Sequence, residues 1–176
     1  QAFRQLLGRS AGRTPVAQVR ELDRLRQGNP DLRGQRLAVG QFGSSGALIS
    51  ALSRILRARG AHVLVLDNPD EAAQATTAND FDAVMYLGLK IENSSHSQTN
   101  YFSTPGFLSE GGYRLAHHCA TGLDHALRSS DVPPTEAAGR QVPVLRQTRM
   151  PAVLCTLAPP SAVVLATAEI ADALAM

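Results

Sequence analysis

The stretch Gly40-Gln-Phe-Gly43-Ser-Ser-Gly46 is where residue types and spacing could most directly do chemistry. It fits G-x-x-G-x-x-G between an apolar run and a helical pattern, the place where a dinucleotide phosphate would meet backbone N–H groups and a helix N-terminus. Asp67 follows 21 residues after Gly46, at the end of the next apolar run, where a ribose-binding acid would stand. A nucleotide site built from Gly40, Gly43, Gly46 and Asp67 is one reading. The plainer one is that tight β-α turns favour Gly and Ser and that strands of α/β folds often end in Asp. Tyr86 and Lys90 form Y-x-x-x-K, a proton-transfer pair when both sit on one helix face. Here they straddle the end of an apolar strand pattern, so that chemistry is not expected.

The remaining reactive side chains are scattered. His117 and His118 are adjacent, and successive helix positions point about 100° apart, so one ion would not take both. His125 lies too far along the same helix to join them. Cys119 and Cys155 carry neither a C-x-x-C nor a Cys/His ligand spacing, and each reads as a small buried apolar residue. Gly-x-Ser-x-Gly, the sharp turn of serine hydrolases, does not occur. Asn93-Ser-Ser is a glycosylation sequon by pattern alone.

The elements that must position these groups read as an α/β chain. With 176 residues, 44% hydrophobic and 18% charged, one domain with a sizeable core is expected. The net charge of +2, with every cation except Lys90 an arginine, is too small to imply nucleic acid. No apolar run is long enough to span a membrane. Strands are expected at Arg36–Val39, His62–Leu66 and Phe81–Leu87, with the Gly40–Gly46 turn and a helix Ala47–Arg59 closed by Gly60 between the first two. A short helix from about Asp70 separates the second and third. The apolar run His62–Leu66 predicts a strand buried on both faces. Asn93–Pro105 is expected to be irregular, Leu108–Ser129 helical, Asp131–Gln141 a loop, Val142–Arg146 and Ala152–Leu157 strands, and Ala162–Ala175 a closing helix. Upstream, Ala2–Leu7 and Pro15–Arg26 read as helical, the latter by its stripe Val16, Val19, Leu22, Leu25. Opening in mid-helix, the chain reads as a piece of something longer. Residues 1–30 are expected to be a linker and helix trailing an upstream module, and 31–176 the domain proper: a single three-layer α/β domain with a mainly parallel central sheet flanked by helices.

Three segments resemble the zinc-dependent N-acetylmuramoyl-L-alanine amidase family of peptidoglycan hydrolases (Amidase_3). Leu32-Arg-Gly-Gln-Arg-Leu-Ala-Val39 is similar to its first strand. Phe81-Asp-Ala-Val-Met-Tyr-Leu87 is similar to its "ADLFVSI" strand, and Val144-Leu-Arg-Gln-Thr-Arg-Met-Pro-Ala-Val-Leu154 to its "VLRxTxMPAVLVE" segment. The helix at Tyr113–Leu127 matches the family's pattern, so the resemblance runs from Leu32 to the C-terminus. Residues 1–26 further resemble the junction between a peptidoglycan-binding repeat and the amidase domain in a degenerate, regulatory member of the family.

The resemblance implies a particular loss. Active members hold zinc with a His after the first strand, a Glu at the start of the next helix and a His after the third strand, and use a Glu near the last strand to activate water. On this chain the first His falls at Gly43, the second at Gly88 and the catalytic Glu at Thr156, and the Glu-bearing loop is missing. Glycine offers no donor and a neutral threonine hydroxyl is a poor ligand or base. The expectation is a pseudoenzyme without metal or other cofactor, acting as a binding or regulatory module in bacterial cell-wall metabolism. Ala158-Pro-Pro160 stands where the family has "GFLSN", which reshapes the groove floor. The implied partners are the enolpyruvyl transferase acting on UDP-N-acetylglucosamine, lipid-precursor export machinery or a peptidoglycan fragment. The implied location is cytoplasmic or membrane-associated, with the extracytoplasmic cell wall as alternative. A nucleotide-binding domain and an active amidase stand as rival readings.

Overall fold

The computed structural model describes residues 32–176, so the expected helices at Ala2–Leu7 and Pro15–Arg26 lie outside the described residues. Strand β1 (Arg36–Phe42) leads through a short turn into helix α1 (Gly46–Ala58), and β2 (His62–Leu66) returns beside β1. Helix α2 (Glu71–Asp80) crosses to β3 (Met85–Ile91) on the other side of β1. Then come β4 (Gln98–Thr104), β5 (Phe107–Leu108), α3 (Glu110–Ala126), β6 (Glu136–Arg140), α4 (Pro143–Gln147), β7 (Ala152–Leu157), α5 (Pro160–Leu165) and α6 (Thr167–Ala175). The sheet order is β2-β1-β3-β7-β4-β5, with β6 also on β4. The four strands from β2 to β7 are mutually parallel, and β4 runs antiparallel to β7. This is the expected mainly parallel, three-layer α/β domain.

Alternation along the strands divides the core in two. Leu37, Val39, Leu87, Leu89, Val153, Cys155 and Leu157 point to the face covered by α1, α3 and α6, where they meet Leu52, Leu123 and Ile170. Ala38, Tyr86, Ala152 and Leu154 point to the opposite face, under Ala75 and Ala78 of α2 and Val144 and Leu145 of α4. Cys119 and Cys155 are buried free thiols of the first core, as their apolar reading implies. A hydrogen bond with Cys119 and burial hold the Cys155 thiol well above its ordinary range.

Several expected boundaries move. Strand β1 runs on to Phe42, so Gly40 is inside the sheet and the turn shrinks to residues 43–45. Strand β3 begins at Met85, because Phe81 caps α2 and Asp82 takes φ +53°, and it continues past Leu87 to Ile91. β2 is an edge strand with one neighbour, and only Leu66 of its five residues is fully buried, so its apolar run does not mean cover on both faces. The segment expected to be irregular contains β4. Its period of two is hidden because Thr99 and Asn100 are polar yet buried, Thr99 by donating Oγ1–H to the Ala116 carbonyl of α3 at 2.9 Å. In the expected loop at 131–141, β6 is formed by Glu-Ala-Ala-Gly-Arg, poor strand formers held by parallel pairing with β4. Val142–Arg146 is not a strand: Pro143 takes the first position of α4, where its missing N–H costs nothing, and the Val144 N–H donates to Glu71 Oε2 at 3.3 Å. The closing helix breaks at Ala166 into α5 and α6, with Thr167 Oγ1 held by the carbonyls of Val163 and Val164.

Asp70 caps α2 by accepting from the N–H groups of Ala72 at 2.8 Å and Ala73 at 3.3 Å. Asp70→Ala is expected to lower the unfolding free energy by about 1 kcal/mol, the usual worth of such a cap, measured by urea denaturation with an unchanged m-value.

Candidate functional site at the carboxyl end of the sheet

Strand β1 has β2 on one side and β3 on the other. α1 packs on one face of the sheet and α2 on the other, so the two connections leaving the carboxyl ends of β1 and β2 take opposite faces. At such a switch point an open α/β sheet forms its crevice. Here the crevice is stitched. Gly43 takes φ +61°, a conformation that favours glycine, and delivers Ser45 beneath the turn. The buried Ser45 hydroxyl lies 3.1 Å from the Phe42 carbonyl and 3.0 Å from the Leu89 carbonyl, joining β1 to β3. Its side chain makes no cap bond to α1. Gln41 lies against Gly46, where an added Cβ would stand 3.3 Å from its Nε2. Asp67 is exposed just beyond β2. Of the glycines in the proposed phosphate motif, only Gly43 is in the turn.

Gly40 and Gly88 answer a different demand. They are paired across β1 and β3, on the face covered by α2. A Cβ at Gly40 would stand 2.1 Å from the Tyr86 hydroxyl and 2.3 Å from Gln74 Oε1. One at Gly88 would stand 2.9 Å from Leu154 Cδ1 and 3.2 Å from both Tyr86 Cε1 and its hydroxyl. The Tyr86 ring therefore lies along the sheet, over the two glycines. Its hydroxyl donates to Gln74 Oε1 at 2.8 Å, and Gln74 Nε2 donates to the carbonyls of Asn68 at 2.6 Å and Gln41 at 3.2 Å. Burial, and secondarily the nearby Glu71 carboxylate, push the phenol far above its ordinary pKa. Tyr86 and Lys90 both belong to β3, four residues apart on an extended strand, so they do not form a proton-transfer pair.

The polar rim begins one register step higher. Phe42, Lys90, Thr156, Gln98 and Glu136 form a row across five strands on this same face. Lys90 pairs with Glu92, Gln98 Nε2 donates to Glu136 Oε2 at 3.4 Å, and His96 Nε2 lies 3.6 Å from the same oxygen. Asn100, beneath Gln98, is buried with its Oδ1 unpartnered. Sequence reasoning missed Gln74, Gln98, Glu136 and Ser45. The only signal for the first was a polar residue on the inward side of an otherwise Ala-rich helix.

Gly43 follows β1, Thr156 is the penultimate residue of β7, and Gly88 is in mid-β3. Gly43 follows the end of β1 three residues after Gly40, which is the sheet partner of Gly88. Gly88 is buried and does not line the cleft. The donor chemistry does not fit a zinc ion: glycines supply no ligand atom, and a tyrosine and a leucine fill the space into which a side chain at position 88 would project. Among the described residues no three His, Cys, Asp or Glu side chains converge. His62 starts β2 at the far end of the sheet from His96. His117, His118 and His125 are exposed or half-buried positions of α3, with the His117 ring 4.3 Å from that of Tyr113.

This three-layer α/β fold is similar to that of N-acetylmuramoyl-L-alanine amidases of known structure. No protein-family model and no curated protein matches the chain. Among solved structures, N-acetylmuramoyl-L-alanine amidase AmiC2 of Nostoc punctiforme is similar at 15% identity and a TM-score of 0.61, covering 81% of this chain and 94% of that one. The N-acetylmuramoyl-L-alanine amidase from Clostridium difficile 630 is similar at 16% identity and 0.63, covering 80% and 92%. The CwlD amidase from Clostridioides difficile, solved with the GerS lipoprotein, gives 13% and 0.58, covering 81% and 95%. At these identities the likeness is one of fold.

The raised pKa of Tyr86 makes stability depend on alkaline pH. Below about pH 10 both folded and unfolded chains carry the neutral phenol and its contribution is fully present. Above that the unfolded chain ionises first and binds fewer protons, so stability falls by up to about 1.4 kcal/mol per pH unit. Denaturation between pH 9 and 11 is expected to show this extra slope in the parent chain and not in Tyr86→Phe. A second test concerns nucleotides: millimolar NAD(P) is expected to leave Tm unchanged, whereas a rise abolished by Asp67→Ala would establish the nucleotide site.

Proposed function

We propose that this chain is a catalytically inactive relative of the peptidoglycan amidases that serves as a binding or regulatory module in bacterial cell-wall metabolism. What supports the reading is the packing at this sheet end: the resemblance puts two ligands and the general base at Gly43, Gly88 and Thr156, and Leu154 and the Tyr86 ring lie against the space a side chain at residue 88 would need. Water activation by a metal needs an open three-ligand site, and the general base needs a titratable group; these positions offer neither.

What stays available is the rim. Lys90, Thr156, Gln98 and Glu136 present charge and hydrogen-bonding groups of both kinds across the open part of the sheet face. The sequence resembles the mycobacterial cell-wall regulator CwlM, and a protein partner in precursor synthesis, such as the enolpyruvyl transferase acting on UDP-N-acetylglucosamine, is the partner this reading favours. That CwlD is found with a lipoprotein is in keeping with protein partners on this fold. A cytoplasmic or membrane-associated setting goes with such a partner.

Purified chain given equimolar zinc and dialysed is expected to keep only a substoichiometric amount by metal analysis, and to release no peptide from peptidoglycan. One zinc per chain together with peptide release would establish the active amidase instead. Immobilised transferase is expected to bind the chain, and reversing the charges at Lys90 and Glu136 is expected to weaken that binding by roughly tenfold, the scale of rim charge contacts, without changing the circular dichroism spectrum.

A further inference from the structure

We propose that Tyr86 is a plug that has taken over the emptied ligand position, closing it against any side chain at residue 88 and replacing its pinning of the crevice by a phenol-carboxamide bridge to α2. The claim rests on the preceding reading for the identity of that position, and on geometry for everything else. The Tyr86 ring lies above two facing glycines in adjacent parallel strands, an arrangement that neither turn chemistry nor strand propensity calls for. The overlap is severe: the phenol oxygen is 2.1 Å from where a Gly40 Cβ would be, far inside van der Waals contact. The hydroxyl is not merely accommodated, since Gln74 accepts its hydrogen bond and passes the connection on to the Gln41 and Asn68 carbonyls. One network thus spans the end of β2, β1, β3 and α2. Burial keeps the phenol protonated, so it acts as a donor to Gln74 and not as an anionic ligand.

A plug predicts coupling. In thermal unfolding of the 176-residue chain, Gly40→Ala is expected to lower Tm by roughly 5 °C or more, because an added methyl overpacks a rigid site. The same substitution made in a Tyr86→Ser chain is expected to lower Tm by less than half as much, since the phenol it strikes is gone and the other close atom, Gln74 Oε1 at 2.3 Å, is the end of a flexible side chain that has lost its phenol partner. Gly88→Ala repeats the test at the second glycine should the Gly40→Ala chain not fold, with a smaller expected difference because Leu154 Cδ1, at 2.9 Å, is met in both backgrounds. Equal losses at both glycines with and without Tyr86 would overturn the plug. The outcome is separable from that of the proposed function: zinc bound by the unaltered chain would end the pseudoenzyme reading, whereas the mutant cycle reports only on what fills the space over Gly40 and Gly88.

Discussion

A tyrosine ring laid flat along a parallel sheet has nowhere to go unless the strands beneath it lack side chains, and that constraint organises this molecule. Tyr86 stands on the central strand of the β1-β3-β7 unit, facing α2. Burying it fully removes a large apolar area from water, which favours folding, but strands its hydroxyl in a place water does not reach. Gln74 resolves that cost, and its own carboxamide is in turn satisfied by two strand-end carbonyls. Gly40 and Gly88 are thus consequences of Tyr86. Without them the ring would have to lift, α2 with it, and the contact of Glu71 with the start of α4 would open.

The opposite side of the crevice obeys a second, smaller constraint. The parallel strands β1 and β3 run side by side, and at their ends the Phe42 and Leu89 carbonyls lie next to one another. Ser45 joins them from below the turn, and the left-handed Gly43 is what lets the chain double back far enough to put it there.

The layered α/β architecture was legible in the sequence wherever hydrophobic pattern and burial agree, as at Arg36–Val39, Ala47–Ala58 and Ala152–Leu157. It was lost where polar residues are buried. β4 looked irregular because Ser97, Thr99 and Asn100 are all interior, the first bonded to Ala158 and the second to α3. Val142–Arg146 was misread because a short apolar run does not distinguish a strand from one buried helical turn, although Pro143 supplied the correct hint. At the site, the sequence showed glycines and a threonine at the positions the resemblance picks out, and a glycine cannot ligate in any fold. It could not show that Gly40 and Gly88 face one another under Tyr86, because strand register is a tertiary quantity. A run of glycines at a strand end reads as a turn until the pairing partner is known.

Asn100 shows where stability and surface chemistry part company on this face. Its side chain is buried next to Leu154 of β7, and no donor of the described residues reaches its Oδ1. Leu154 on the adjacent strand and Val144 above show that apolar residues are at home nearby. A carboxamide there does not serve the core, and the fold carries it because two large hydrophobic clusters hold the sheet from both sides. The row above it, Thr156, Gln98 and Glu136, is polar and only partly covered, half-buried at Thr156 and Gln98 and exposed at Glu136. Tyr86 and Ser45 pack the inner part of this sheet end, and the outer part carries hydrogen-bonding groups of both kinds on strands held in register by the sheet ladder.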